Sequence, residues 1–194
     1  MSGAGFLLDL HRCVGCGACV LACRIENHRV HTATWRRVLP LNLRRRPSGP
    51  TYFLSVACHH CEEPACLKGC PSGAYEKRTD GVVIHHEERC IGCRYCEMTC
   101  PFGAPQYDEA KGVMSTCHLC ADRIDASRLP ACVAACPTEA LSYVAASGTL
   151  RSAALELVPG FVDPATCRPS LRFRPPAGTR RAELYRSVEE ALRR

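Results

Sequence analysis

The sequence predicts an α+β protein made of two interleaved units that are organised by cysteines rather than by a large aromatic core. Three observations carry this prediction. The 194 residues include 17 Cys but only 5 Phe, 6 Tyr and 1 Trp. Sixteen of the cysteines form four groups of four, and the spacings of these groups repeat along the chain. Short apolar segments next to the groups are typical of brief strands.

The first and third groups share the spacing C-x2-C-x2-C-x3-C, the 4Fe-4S run of bacterial ferredoxins. They are Cys13, Cys16, Cys19 and Cys23, and Cys90, Cys93, Cys96 and Cys100. Three cysteines two residues apart let a tight loop wrap one cubane. The fourth, which we expect on the helix that leaves the loop, ligates the other cluster in two-cluster ferredoxins. Gly15, Gly17 and Gly92 lie in these loops, where a missing Cβ permits close approach and positive φ.

The second and fourth groups read C-x2-C-x4-C-x3-C-P and C-x2-C-x11-C-x3-C-P, so they are the same motif opened by insertions. They are Cys58, Cys61, Cys66 and Cys70, and Cys117, Cys120, Cys132 and Cys136. Their flanks also match, as in the segments 70–74 (CPSGA) and 136–140 (CPTEA). The chain is therefore an internal repeat in which the two motif types alternate. Cys167 stands outside the groups and is predicted to be a free thiol.

Groups two and three follow the order of one ferredoxin-like unit. Residues 75–78 and 82–84 flank the turn Asp80-Gly81 and predict a hairpin between the two groups. Groups four and one are left to pair, and the strand-like segments 141–144 and 6–10 could supply an equivalent pair of strands. Pairing group one with two and three with four is the alternative, but the intervals between its cysteines do not match the ferredoxin order.

With the fourth cysteines exchanged inside each pair, the sequence predicts four sets of cluster ligands. Set 1 is Cys13, Cys16, Cys19 and Cys136; set 2 is Cys117, Cys120, Cys132 and Cys23; set 3 is Cys58, Cys61, Cys66 and Cys100; set 4 is Cys90, Cys93, Cys96 and Cys70. Residues 1–28 with 111–147 would form one unit and 51–110 the other. Residues 29–50 would be a basic insert, and 148–194 an extended C-terminal arm.

Structural zinc is the main alternative chemistry for these cysteines. Zinc sites use Cys-x2-Cys pairs in twos, so zinc would leave the third cysteine of each C-x2-C-x2-C run without a role. The pattern therefore favours four 4Fe-4S clusters, whose sixteen cysteine ligands are also the metal ligands. His59, His60 and His118 lie beside these ligands and could donate to sulfur, and packing beside the ligands is favoured over ligation.

The four groups in this order, with C-x2-C-x4-C-x3-C-P second and C-x2-C-x11-C-x3-C-P fourth, resemble the iron-sulfur subunits of the dimethyl sulfoxide reductase family. Residues 54–61, 100–107 and 159–163 carry the resemblance further. It implies a subunit without catalysis of its own that relays single electrons through four 4Fe-4S clusters. The expected partners are a large subunit with a molybdenum or tungsten bis-pterin guanine dinucleotide cofactor and a membrane subunit that exchanges electrons with quinone. The family pairs the cysteines as above.

Cys96 adds one detail to this resemblance, because the nitrate reductase branch has Trp at the matching position. The presence of Cys96 in this chain implies four complete cubanes. An electron-transfer subunit of a hydrogenase or of another soluble redox complex is the alternative function. Co-purification with a pterin-containing subunit would distinguish the two.

The formal net charge of +6 is weak evidence for a nucleic acid partner. An oxidised 4Fe-4S cluster with four thiolates carries about −2, so four clusters would bring the total to about −2. The basic insert, with Arg29, Trp35-Arg36-Arg37 and Arg44-Arg45-Arg46, is either a solvated loop or a docking surface. We expect no nucleic acid partner.

The ends of the chain bear on localisation and assembly. The first nine residues lack a basic segment and an apolar run of signal-peptide length, and no stretch approaches the roughly 20 apolar residues of a spanning helix. We expect a peripheral component of a membrane-bound complex, either at the cytoplasmic face or exported with a folded partner. Residues 173–176 predict an extended arm, and an amphipathic helix is expected from Thr179, with Leu184, Val188 and Leu192 on one face.

Overall fold

A computed structural model of the chain describes residues 3–28, 34–41, 52–146 and 167–174. The helices are α1 (Ala18–Glu26), α2 (Ala65–Lys68), α3 (Tyr95–Thr99), α4 (Ala121–Asp125) and α5 (Ala131–Ala134), with a 3₁₀ turn at Glu87–Arg89. The strands are β1 (Gly5–Asp9), β2 (Arg37–Leu41), β3 (Tyr52–Val56), β4 (Tyr75–Lys77), β5 (Val83–His85), β6 (Gln106–Asp108), β7 (Val113–Ser115), β8 (Leu141–Val144) and β9 (Leu171–Arg174). The predicted helix after Thr179 and most of the basic insert lie outside the described residues.

A three-stranded sheet of order β8-β1-β9 joins distant parts of the chain. Strands β1 and β8 pair antiparallel, with Leu7 opposite Ser142, as the sequence predicts for the segments 6–10 and 141–144. Strand β9 pairs parallel to β1. Residues 173 and 174 are therefore extended, as predicted, but they belong to a sheet, and the side chains of Leu171 and Phe173 are buried.

The remaining strands form three antiparallel pairs. The pair β4–β5 surrounds the turn at Asp80-Gly81 and confirms the predicted hairpin. The pairs β2–β3 and β6–β7 complete the set. The largest apolar cluster joins β1 to neighbouring elements and includes Phe6, Leu8, Leu54 and Phe173. Among the described residues, no helix has the length and apolar character needed to cross a bilayer.

The description of Arg36 as part of a solvated or docking surface is wrong. Its side chain is only 1% exposed, whereas that of the next residue, Arg37, is exposed. Residue 36 leads directly into β2, and the pairing of β2 with β3 draws the start of the strand into the core. Alternation along a strand then turns neighbouring side chains to opposite faces.

The fourth cysteine of a group lies inside a helix only in the first group, where Cys23 is part of α1. In the other three groups the helix ends before Cys70, Cys100 and Cys136, so the helical position expected for the fourth cysteine of the third group, Cys100, is wrong. Each of these cysteines precedes a proline, and the residue before proline is disfavoured in the α conformation. Cys100, for example, has the extended φ and ψ of −77° and 113°.

Candidate metal centres

The four cysteines of set 3 line one cavity. It contains about 370 Å³ of empty space, part of it open to solvent, and is bordered by Cys58, Cys61, Cys66 and Cys100. Three of these thiols come from the loop after β3 and from α2, and the fourth follows α3. The cavity therefore brings thiols of the second and third groups together.

A second cavity brings together the cysteines of set 1. It contains about 330 Å³ of empty space and is bordered by Cys13, Cys16, Cys19 and Cys136. The fourth thiol reaches this cavity because β8, which follows the fourth group, pairs with β1, which precedes the first group. The sheet thus holds together two groups that are more than 90 residues apart in sequence.

Thiols assigned to sets 2 and 4 lie close enough to influence one another electrostatically. Cys23 interacts most strongly with Cys132 among the cysteines, and then with Cys120. Helix α1, which carries Cys23, packs against α5, which carries Cys132. The contact between these two helices therefore brings the first group to the fourth.

In set 4, the thiol of Cys96 interacts with Cys90 and Cys70. Helices α2 and α3 pack together and bring the second and third groups into contact. Cys93 is exposed at the outer edge of this set.

The four sets follow one another through the molecule. Cys19 of set 1 interacts with Cys23 of set 2, Cys117 of set 2 interacts with Cys58 of set 3, and Cys66 of set 3 interacts with Cys96 of set 4. Set 1 is therefore at one end of a continuous series and set 4 at the other.

Both ends of this series are exposed. All 17 cysteines lie in the described ranges, and of these only Cys16 and Cys93 are exposed. Exposed apolar side chains accompany each of them: Val14 and Leu21 at the set 1 end, and Ile91 and Met98 at the set 4 end, are 59–72% exposed. These residues occupy equivalent positions in the two C-x2-C-x2-C-x3-C groups.

The geometry of the cysteine sets differs from that of a single-ion site. Among the described residues, no three or more His, Cys, Asp or Glu side chains are arranged to hold one metal ion. A cubane instead binds four thiolates at separate iron atoms. A space bordered by four thiols fits a 4Fe-4S cluster.

Burial dominates the acid–base chemistry of these thiols. It raises the pKa of Cys23, Cys58 and Cys66 to about 12. Such thiols hold their protons at neutral pH unless a metal replaces them. Iron binding must therefore release protons from these positions.

Cys70 and Cys136 behave differently, because hydrogen bonds outweigh burial. Burial alone would raise each pKa, but hydrogen bonds to the sulfur leave both lowered. At Cys70 they come from the Ser72 hydroxyl, with O and S 3.5 Å apart, and from backbone N–H groups that include that of Ala74 at 3.3 Å. At Cys136 the Thr138 hydroxyl is 3.8 Å from the sulfur. The repeated segments 70–74 and 136–140 thus provide the same support for a thiolate.

These two hydroxyl groups give a testable prediction. Replacing Ser72 with Ala or Thr138 with Val removes a donor that favours the more negative, reduced cluster. We expect the reduction potential of the set 4 cluster in the first variant, and of the set 1 cluster in the second, to fall by roughly 20–60 mV, the one-electron equivalent of a hydrogen bond of about 0.5–1.5 kcal/mol. A potentiometric titration followed by EPR measures this. An equal shift at all four clusters would contradict the assignment.

The three histidines next to the cysteines pack beside the sites. The Nδ1 of His60 accepts a hydrogen bond from the backbone N–H of Val83 at 3.0 Å, so its Nε2 carries the proton and faces Cys117 Sγ at 4.0 Å. His59 packs on Phe102 with ring centroids 4.2 Å apart, and His118 meets Trp35 edge-on. Burial lowers the pKa of His59 and His60 to about 3. Both are therefore neutral.

Gly15 and Gly92 occupy equivalent positions in their loops and have φ of +71° and +69°. A Cβ on Gly15 would collide with the ring of Phe53, and one on Gly92 with the carbonyl oxygen of Gly112. Both close approach and positive φ, as predicted from the sequence, are therefore required here.

Cys167 was expected to have no relation to the cluster sites, but the fold places it in one. It is 2% exposed and borders the same cavity as the cysteines of set 3. Nothing in the spacing of the cysteines indicates this position, because it depends on the parallel pairing of β9 with β1.

Comparison with known proteins bears on the chemistry of these sites. Residues 50–146 match the family model of a 4Fe-4S dicluster domain, and residues 10–29 match that of a 4Fe-4S binding domain. The chain is 45% identical over 147 residues to one of the polypeptides of the anaerobic dimethyl sulfoxide reductase of Escherichia coli, and the match covers 72% of each protein. It is 37% identical to a subunit of the sulfite dehydrogenase of Allochromatium vinosum over 72% of this chain and 68% of the relative. It is 36% identical to the formate dehydrogenase iron-sulfur subunit of Wolinella succinogenes over 70% and 78%, respectively.

Proposed function

Because this chain belongs to the iron-sulfur subunits of the dimethyl sulfoxide reductase family, we propose that it relays single electrons through four 4Fe-4S clusters between two partner subunits. One partner is a large catalytic subunit with a molybdenum bis-pterin cofactor. The other is a membrane subunit that exchanges electrons with quinone. The chain itself catalyses no bond chemistry and is a peripheral part of the membrane complex.

The observation that carries the proposal is the continuous series of four cysteine sets between two exposed ends. Each set borders the next through a pair of thiols that interact electrostatically, so an electron could move by short steps. When bound, the clusters supply one-electron chemistry. The residues of the chain hold the thiolates and provide hydrogen bonds that tune the potentials.

The two exposed ends support two separate docking surfaces. Cys16 and Cys93 reach the surface, and each is accompanied by exposed aliphatic side chains that a partner subunit would cover. An electron would enter at one end and leave at the other. Sets 2 and 3 lie between these ends in the series and would exchange electrons with their neighbours.

The iron content of the chain tests the cluster count. We expect about sixteen iron atoms per chain in the anaerobically purified complex, because each 4Fe-4S cluster contributes four. About eight iron atoms would contradict four clusters. Mass spectrometry of the same preparation identifies the partners, and a large subunit with no pterin would instead support the hydrogenase-type alternative.

A further inference from the structure

Arg36 is the largest side chain among those that the structure buries almost completely. Its guanidinium lies over the ring of Phe6, 4.4 Å from the centroid, and Nη1 donates to the Ser55 hydroxyl at 3.0 Å. The same hydroxyl lies 3.4 Å from Cys19 Sγ. Nε and Nη2 have no hydrogen-bond partner within the described part of the chain. A permanent cation is therefore enclosed with two donor groups unused.

The groups around this cation are thiols rather than carboxylates. The electrostatic influences on Arg36 come from Cys132, Cys117, Cys19 and Cys23. Cys19 belongs to set 1, and the other three belong to set 2. The guanidinium is thus located between two neighbouring cluster sites.

A buried charge without a counter-charge is strongly unfavourable. Neutral thiols cannot compensate it, but two clusters of about −2 each would do so. Because reduction adds a negative charge, a fixed cation nearby favours the reduced state of either cluster.

We propose that Arg36 is a fixed cation shared by the clusters of sets 1 and 2, and that it raises the reduction potentials of both. The inference rests on the proposed function, since it requires clusters at these two sets.

The test compares three variants of the purified complex. Arg36→Met removes the charge, Arg36→Lys keeps the charge but loses the planar fork, and Arg37→Met is the matched control, because it removes an exposed arginine from the adjacent position. Iron content and EPR-monitored redox titration are measured for each, with signals assigned by cysteine substitutions. Wild-type protein without 4Fe-4S signals would overturn the proposed function rather than this inference.

We expect Arg36→Met to lower the equilibrium constant for one-electron reduction of the set 1 and set 2 clusters at least tenfold, a shift of about 59 mV. Sets 3 and 4 should not change, and Arg36→Lys should show a smaller shift. If Arg36→Met loses the clusters of sets 1 and 2 only, the proposal is also supported. Unchanged potentials with full iron, an equal shift in Arg37→Met, or loss of all four clusters in both Arg36 variants would overturn it.

A separate observation concerns the set 3 cavity, which five thiols border instead of four. Cys167 interacts electrostatically with both Cys61 and Cys100. Thr116, which is 4% exposed, borders the same cavity, and its hydroxyl donates to the sulfur of Cys58. The site therefore has one thiol more than four irons require from their protein ligands.

The backbone of residues 167–170 is fixed to the loop that carries Cys58 and Cys61. The N–H of Glu63 donates to the carbonyl of Cys167 at 3.1 Å, and the N–H of Glu62 to that of Arg168 at 2.8 Å. The N–H of Ser170 donates to the carbonyl of His59 at 2.9 Å. Cys167 therefore keeps its position relative to the ligand loop.

We further infer that Cys167 is a reserve ligand of the set 3 cluster, able to bind the iron that Cys61 would otherwise hold. Cys61 is the ligand for which exchange is expected, because it interacts with Cys167 and directly precedes the two residues whose N–H groups bond the 167–168 backbone. In the exchange the Cys167 thiol would give up its proton and bind the iron, while the released Cys61 thiolate would take up a proton, so that neither the net charge nor any oxidation state changes.

The variant Cys61→Ala tests this inference alone and together with Cys167→Ala. We expect the single variant to keep a four-iron cluster at set 3 and the double variant to lose at least one iron there, as measured by iron analysis and EPR. Cys16→Ala is the matched control, because the set 1 cavity has no fifth thiol. This variant should lose iron even when Cys167 is left in place. Equal iron loss in Cys61→Ala and in the double variant would overturn the inference. Wild-type protein lacking the set 3 cluster would instead refute the proposed function.

Discussion

Replacing Cys23 with serine is expected to damage the cluster held by Cys117, Cys120 and Cys132 and to leave the Cys13 cluster intact. Helix α1 directs the Cys23 thiol towards Cys132 rather than into the set 1 cavity, which is bordered by Cys13, Cys16, Cys19 and Cys136. The loss of one thiolate should remove about one to four irons per chain. EPR of the reduced complex and iron analysis measure the effect.

Cys19→Ser provides the comparison for this prediction, because Cys19 lies four residues earlier on the same helix. It should damage the set 1 cluster. If both variants alter the same EPR signal, the exchange of fourth cysteines between groups one and four is wrong. Pairing of group one with group two would then have to be reconsidered.

Loss of the set 3 cluster, in the middle of the series, is expected to have the second large effect, a fall in quinol-driven turnover. Cys58 borders the set 3 cavity and interacts with Cys117 of set 2, so loss of the set 3 cluster separates sets 1 and 2 from set 4. In Cys58→Ala, quinol-driven turnover of the complex should fall at least about 100-fold, beyond the 10–100-fold typical of changes outside the ligand shell. Turnover with a small artificial donor that reaches the catalytic subunit directly should be retained.

Leu129→Ala is the control for this measurement, because Leu129 is an exposed apolar residue that belongs neither to a cysteine set nor to the exposed ends of the series. It should leave quinol-driven turnover unchanged. Undiminished turnover in Cys58→Ala, with the set 3 signal lost, would show that electrons bypass this cluster. A single linear relay would then be wrong.

The parts of the fold that the sequence predicts correctly have local signals. The hairpin β4–β5 follows from the turn Asp80-Gly81 between two short apolar segments. The strands β1 and β8 follow from their apolar composition and from the repeat order, and they pair as expected. The ligand sets drawn from the cysteine spacing stay a prediction, and the thiols of sets 1 and 3 border common cavities, with Cys167 added in set 3.

The features that sequence reasoning missed depend on long-range contacts. The burial of Arg36 requires the charges of cofactors and the β2–β3 pairing, and an arginine in a basic segment carries no local sign of either. The approach of Cys167 to set 3 depends on β9 pairing parallel to β1, more than 160 residues away in sequence. Parallel pairing of distant segments has no turn chemistry that could indicate it.

The position of β1 between β8 and β9 also determines the order in which the cysteine sets can form during synthesis of the chain. The hairpin β4–β5 and the thiols of sets 3 and 4 are contained within residues 58–100, so they can come together early. The first group is translated first, but Cys136 lies about 110 residues after Cys23. At about 5–20 residues per second, its synthesis is delayed by roughly 6–22 s. The four cysteines of the first group are thus exposed for the longest time before the fold encloses them. They depend most on a reducing environment until β8 and β9 have been synthesised.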